Sequence, residues 1–282
     1  MDDASAPSPL NPGAVSAPAD ITSPTAAATY ELDGHIATIT YNRPEALNAI
    51  NGEMRACLNA AWLEFYNDPD AWVAIMTGTG RAFCAGADMR DRTGGSAGIW
   101  SGTFFETPTV NSYESGLELW KPTIAAVNGA CIGYGLTGAL VADFLIASDR
   151  AIFGMPEVKI GVPTIVGSMR MPPKIGWANA MELLLTGDNV DAERAREMGL
   201  AWKVVPHDSL LDEARTLAER LCQGAPLAVR AVKEVAWRSA RMGWTEAVRM
   251  GESLRRLVAA SDDAKEGGRA FAEKRPPEWT GA

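Results

Sequence analysis

The segment Lys121 to Asp143, KPTIAAVNGACIGYGLTGALVAD, constrains the chain more than any other stretch. A short apolar strand, Thr123 to Val127, reaches a turn at Asn128-Gly129. The chain then passes a second bend, Gly133-Tyr134-Gly135, into an apolar helix directed towards Asp143. Glycine at such a bend adopts backbone angles that other residues resist and lets main chain approach a ligand closely. A helix starting there presents unpaired N–H groups and a partial positive charge. That setting suits a phosphate or the oxyanion of an activated carbonyl. Taken alone, the same glycines are better read as simply making the turn, so the segment specifies an α/β connection before it specifies a chemistry.

Hydrophobic periodicity extends the α/β reading in both directions. Residues 1–28 are rich in Ala, Pro and Ser without periodicity and read as a disordered tail. Its acidic start, with no apolar core segment, argues against a secretory or transit signal and for a cytoplasmic protein. A hairpin follows, with a strand around Tyr30–Leu32, a turn at Asp33-Gly34 and the alternating HIATITY. NRPEALNAI is a polar loop feeding a helix over 51–66, whose Met54, Leu58, Ala61, Trp62 and Phe65 share one face. AWVAIMTG reads as a buried strand and GRAFCAGADM as the loop after it. Residues 91–119 form a long Gly-containing loop, either a substrate-facing flap or an insert. FLIAS and AIFGMPEVKIGVP supply further strands. From Asn179 on, the pattern is mostly helical, with a strand at AWKVV and three longer helices reaching Ala272. Leu210, Leu211, Ala214, Leu217, Ala218 and Leu221 form an apolar stripe in this tail.

Composition narrows the chemistry. A net charge of −9 argues against nucleic acid as the main partner. No apolar run approaches the roughly 20 residues that span a bilayer. Cys57, Cys84, Cys131 and Cys222 show no metal or redox spacing and read as reduced thiols. His35 and His207 lie in no motif, so a Ser-His-Asp triad or a histidine metal site is disfavoured. Acid-base work then falls to carboxylates, Tyr or Lys.

NRPEALNAI (42–50), RAFCAGADM (81–89) and NGACIGYGLTGALVAD (128–143) together resemble, in order and spacing, the crotonase or enoyl-CoA hydratase/isomerase superfamily. FGMPEVKIGVP (153–163), LLLTGDNVDAERAREMGLAWKVVP (183–206) and FAEKR (271–275) are similar to further family stretches, so the resemblance runs from about Tyr30 to the end. It implies an α/β fold of ββα units wound into a spiral over 29–205, followed by a helical trimerisation region over 206–282. It also implies a coenzyme A thioester substrate, no permanent cofactor or metal, and a homotrimer or a dimer of trimers.

Residue by residue, the resemblance implies that the amides of Ala87 and Tyr134 grip the thioester oxygen. Most relatives carry glycine where Tyr134 stands. Of the two glutamates of typical hydratases, the later matches Glu157 and the earlier falls on Thr137. Read without the resemblance, Glu157 is better taken as a surface carboxylate beside a turn. The coenzyme A contacts implied are Arg81, Ala85, Asp88, Met89, Arg90 and, from a neighbouring subunit, Lys274. Arg43 is a further basic candidate, while Asp88 and Asp143 also read as carboxylates that orient loops.

A neutral hydroxyl is no general base, so Glu157 is left as the one evident proton carrier. Double-bond isomerisation, single-glutamate hydration and thioester hydrolysis all stay open, with a lean towards proton shuffling. A non-catalytic acyl-CoA-binding member is the competing class. Thr164, Ile165 and Val166 replace a glycine-rich run and are expected to reshape the acyl pocket. Trp100, Phe104, Phe105, Tyr113 and Trp120 are candidate pocket aromatics, and Asp91, Glu106 and Glu114 are reserve carboxylates.

Overall fold

The structure, a computed structural model, describes residues 19–90 and 117–282. The hairpin comes first: β1 (Ala28–Asp33) pairs antiparallel with β2 (Ile36–Tyr41) across the Asp33-Gly34 turn. Ordered packing begins before the expected start at residue 29, because Ile21 is buried in the core and its carbonyl accepts from Tyr30 N–H. Helix α1 (Gly52–Asn67) is capped by Asn51, whose side chain accepts from Met54 N–H. All five residues of its expected apolar face are fully buried. The Lys121 ammonium donates to the carbonyls of Phe65 and Asp68, satisfying the helix C-terminus, and burial pushes its pKa down to about 8.

From here the chain coils. Each turn lays one strand into a large sheet and the next into a smaller one. Thus β3 (Val73–Gly78) is followed by β4 (Ala82–Cys84), β5 (Thr123–Val127) by β6 (Ala130–Ile132), and β7 (Phe144–Ser148) by β8 (Ile152–Gly154). With β9 (Val190–Asp191) and β10 (Lys203–Val205), the sheets run β1-β2-β3-β5-β7-β10 and β4-β6-β8-β9. The coiled strands pair in parallel within each sheet. The spiral of ββα units expected from the resemblance is therefore present.

The corner between β5 and β6 explains one glycine. A Cβ on Gly129 would sit 2.1 Å from the carbonyl oxygen of Arg81, so no side chain fits where consecutive turns stack. Strands buried on both faces read as continuous apolar runs, and the two cores divide them by alternation. Ala74, Met76, Ala125, Val127, Leu145 and Ala147 point into one cluster with α1 and the small sheet. Val73, Ile75, Ile124, Ala126 and Ile146 point into the other, beneath the helix Leu210–Cys222.

Short helix α2 (Tyr134–Ala139) follows β6, then α3 (Val166–Ile175), α4 (Trp177–Thr186) and α5 (Ala192–Glu197). The tail comprises α6 (Leu210–Cys222), α7 (Pro226–Ser239), α8 (Trp244–Ala259) and α9 (Asp262–Glu273). Four tail helices stand where three were expected. Within the stripe, Leu210, Ala214, Leu217 and Ala218 are buried on the large sheet, whereas Leu211 is 54% exposed and faces away. The layered core thus continues through α6, past the division expected near residue 206. By contrast α7 buries only Pro226 and α8 only Ala247. No helix of the described residues is long and apolar enough to cross a membrane.

Candidate active site

The expected site residues sit just beyond the C-terminal ends of three adjacent parallel strands. Gly86-Ala87 follows β4, Gly133-Tyr134 follows β6 and Glu157 follows β8. The segment expected to be one loop, GRAFCAGADM, is in fact split, because Ala82–Cys84 pairs with β6 and only the remainder turns out towards the site.

The Ala87 loop is held by the polar stretch before α1. Ile50 N–H donates to the Gly86 carbonyl at 2.8 Å and Asp88 N–H to the Ile50 carbonyl at 2.9 Å. In this parallel bridge Ile50 takes both bonds, so the Ala87 amide between them is turned to the other side. Arg43 clamps the arrangement, its guanidinium donating to Asp88 Oδ2 and to the Ala49 carbonyl. Arg43 and Asp88 are therefore scaffold partners in this chain, and Arg43 is not a free phosphate ligand. Buried Asn48 donates to the carbonyls of Thr79 and Ala82 and accepts from Arg43 N–H; Asn128 bonds the carbonyls of Gly80 and Ala82. The sequence marks Asn128 only as part of a turn and Asn48 only as part of a polar loop; their bridging role follows from burial, since a buried amide must find partners.

The second segment lies beside the first. A Cβ on Gly86 would be 3.7 Å from Tyr134 N and 3.1 Å from the Ile132 carbonyl oxygen. Gly133 has φ 55 and ψ −119, open to glycine and resisted by other residues. A Cβ there would also lie 3.0 Å from Glu157 Oε1, so the carboxylate rests directly over the bend. Gly135 sits against Cys84, with its Cβ position 2.6 Å from that residue's carbonyl oxygen. The Cys84 thiol beneath is pushed up to about 12 by burial, which leaves it protonated and no nucleophile.

Glu157 is half-buried, and desolvation raises its pKa above the usual carboxylate value, a backbone hydrogen bond opposing only in part. Its Oε2 is buried without a hydrogen-bond partner among the described residues, and so is Thr137 Oγ1. Thr137 is one helical turn from Gly133, on the same face.

The remaining expected residues divide. Ala85 N–H donates to the Leu47 carbonyl, so that residue is part of the loop scaffold. Arg81 and Arg90 are exposed, and Arg90 N–H donates to Asp88 Oδ1. Met89 is 46% exposed beside them. Lys274 caps α9 in a left-handed conformation, with no described contact to this site. Asp143 accepts from Thr123 and from Lys233, tying β5 to α7, as a loop-orienting carboxylate should. Asp91, Glu106 and Glu114, with Trp100, Phe104, Phe105 and Tyr113, lie outside the described residues. Trp120 packs edge-on to Trp237 at 5.8 Å with Arg238 over its ring. His35 stacks on Trp72 and His207 bonds Ser148. Among the described residues no three metal-ligating groups cluster, and the four cysteines are unpaired.

Residues 31–282 match the family model described as enoyl-CoA hydratase/isomerase. The chain is 37% identical over 256 residues to the (E)-benzylidenesuccinyl-CoA hydratase of Thauera aromatica, covering 90% of this chain and 99% of that protein. It is 40% identical over 252 residues to the probable enoyl-CoA hydratase echA8 of Mycobacterium bovis, covering 89% and 96%. The crystal structure of an enoyl-CoA hydratase from Mycobacterium tuberculosis H37Rv superposes with a TM-score of 0.83 at 38% identity, covering 91% of this chain and all 100% of the other.

Proposed function

The chain belongs to the enoyl-CoA hydratase/isomerase family, and from that premise we propose that it adds water reversibly across the C2–C3 double bond of an enoyl-CoA thioester. Glu157 is the single acid/base of this reaction. The observation that carries the reading is the position of its carboxylate, against the Gly133 bend with Oε2 buried and unbonded. The amides of Ala87 and Tyr134 receive the thioester oxygen as it gains charge, each contributing about 3 kcal/mol in a dry, preorganised setting. Arg81, Met89 and Arg90 border the entrance for the coenzyme A moiety, and Lys274 reaches it from a neighbouring copy in a trimer.

Isomerisation, a proton moved between C2 and C4, is the second reading. It is favoured by the single carboxylate over Gly133. Hydration is preferred because a second buried oxygen, Thr137 Oγ1, one helical turn after Gly133, also has no partner among the described residues. A water between two such groups satisfies both.

The test is turnover of 2-enoyl-CoA and 3-enoyl-CoA by the wild type and Glu157→Gln. Hydration is expected to fall about 10²–10⁴-fold in the variant, the range for loss of a general acid/base. Unchanged turnover in the variant removes Glu157 from the mechanism. Wild-type turnover of the 3-enoyl thioester alone selects isomerisation.

A further inference from the structure

Thr164 enters the sequence comparison only as added bulk, but its hydroxyl has a specific neighbourhood. A Cβ built on Gly167 would lie 2.9 Å from Thr164 Oγ1, 3.4 Å from Thr137 Oγ1 and 2.9 Å from Met155 Cε. The two hydroxyls therefore border the same small space, one from the start of α3 and one from α2. The Thr164 carbonyl accepts from Ser168 Oγ at 2.6 Å, which ties this turn to the start of α3. Thr137 is 3% exposed and its hydroxyl has no partner among the described residues; Gly133, one helical turn earlier, carries the Glu157 carboxylate over it, and Glu157 Oε2 likewise has no partner among them. Buried oxygens left without partners are costly, and a polar species that Thr137 and Glu157 can bond, with the partly buried Thr164 hydroxyl beside Thr137, relieves the cost.

We propose that Thr164, together with Thr137, positions the water that adds to C3. The proposal rests on the hydration reading and deepens it: a neutral hydroxyl pair orients the nucleophile, and Glu157 alone carries charge. As the water oxygen bonds to C3, its proton passes to the Glu157 carboxylate and the π electrons move onto the thioester as an enolate. Glu157 then delivers that proton to C2, so one water is added and the carboxylate is restored. Both protons of the bound water are thereby accounted for, one on C2 and one on the new C3 hydroxyl.

Two reactions separate this role from mere packing. Hydration of crotonyl-CoA needs the positioned water. Exchange of the C2 protons of butanoyl-CoA in D2O needs only Glu157 and the amides that hold the enolate oxygen. Thr164→Val is expected to lower kcat for hydration about tenfold, the worth of one hydrogen bond, with KM within about twofold and C2 exchange unchanged. Thr164→Ser is expected to restore hydration. The thermal midpoint of both variants, measured alongside, is expected to match the wild type. Equal loss of hydration and exchange in Thr164→Val, or hydration that does not change, overturns the inference and leaves the hydratase reading in place. A wild type that exchanges C2 protons but never hydrates crotonyl-CoA overturns both.

Discussion

At Gly133 two demands coincide: a φ of 55 and a carboxylate oxygen 3.0 Å from where a Cβ would stand. Gly133→Ala is expected to destabilise the fold by about 1 kcal/mol or more, as alanine does at positive φ, and to displace Glu157. Urea denaturation and kcat, measured on one preparation, check the two effects. If kcat holds while stability falls, the carboxylate is not needed where it lies. Glu157 gives a second expectation. Burial raises its pKa and its ionised form accepts the proton, so activity is lost as pH falls through a value above 4.5. That acid limb, read from kcat/KM against pH, should disappear in whatever activity remains in Glu157→Gln. This glutamate could be picked out as a candidate in MPE only through the resemblance, and its environment could not be read at all. Desolvation comes from residues distant in sequence, and the partner hydroxyl of Thr164 lies in a stretch whose side chains suggested only volume.

Among the elements, long periodic ones were readable and short ones were not. The α1 face declared itself because five apolar residues recur at helical spacing and all five are buried. Strands β4 and β6 have three residues each, too few for a period to register, and both owe their pairing to the coil around them. Helix α3 contains Pro172 and Pro173, which argue against a helix when sequence is read alone. Packing overrides the penalty, with Met171 and Ile175 buried. Helix α9 supports a prediction at this scale. Glu266 accepts from Arg275, Arg269 and Glu278 N–H, and these bonds, Arg275 first, hold its carboxyl down to about 2. A depressed carboxyl stabilises the fold above its unfolded value of 4.5, and this contribution is lost as pH falls towards 2. Glu266→Gln is expected to lower the thermal midpoint at neutral pH, with the difference closing below about pH 3. A difference that stays constant with pH would point to packing instead.

On the scale of the molecule, α7 to α9 leave Val232, Trp244, Leu257 and Phe271 at 70%, 85%, 71% and 88% exposure. In the trimer proposed above, these exposed apolar side chains would be covered by neighbouring copies. Sedimentation is expected to give three or six chains per particle, and Val232→Glu with Leu257→Glu is expected to reduce that mass while helical circular dichroism persists. A monomeric wild type would refute the assembly.

The coil itself has a consequence for how such a site can change. Its reactive groups are borne on neighbouring rungs of one ladder, about 4.8 Å apart, so main-chain pairing acts as the ruler between them. Insertions elsewhere in a turn leave that ruler untouched. On the proposed reading, new acyl chemistry is reached by exchanging what projects from each rung, as the resemblance implies for Thr137, while the measuring frame is kept intact.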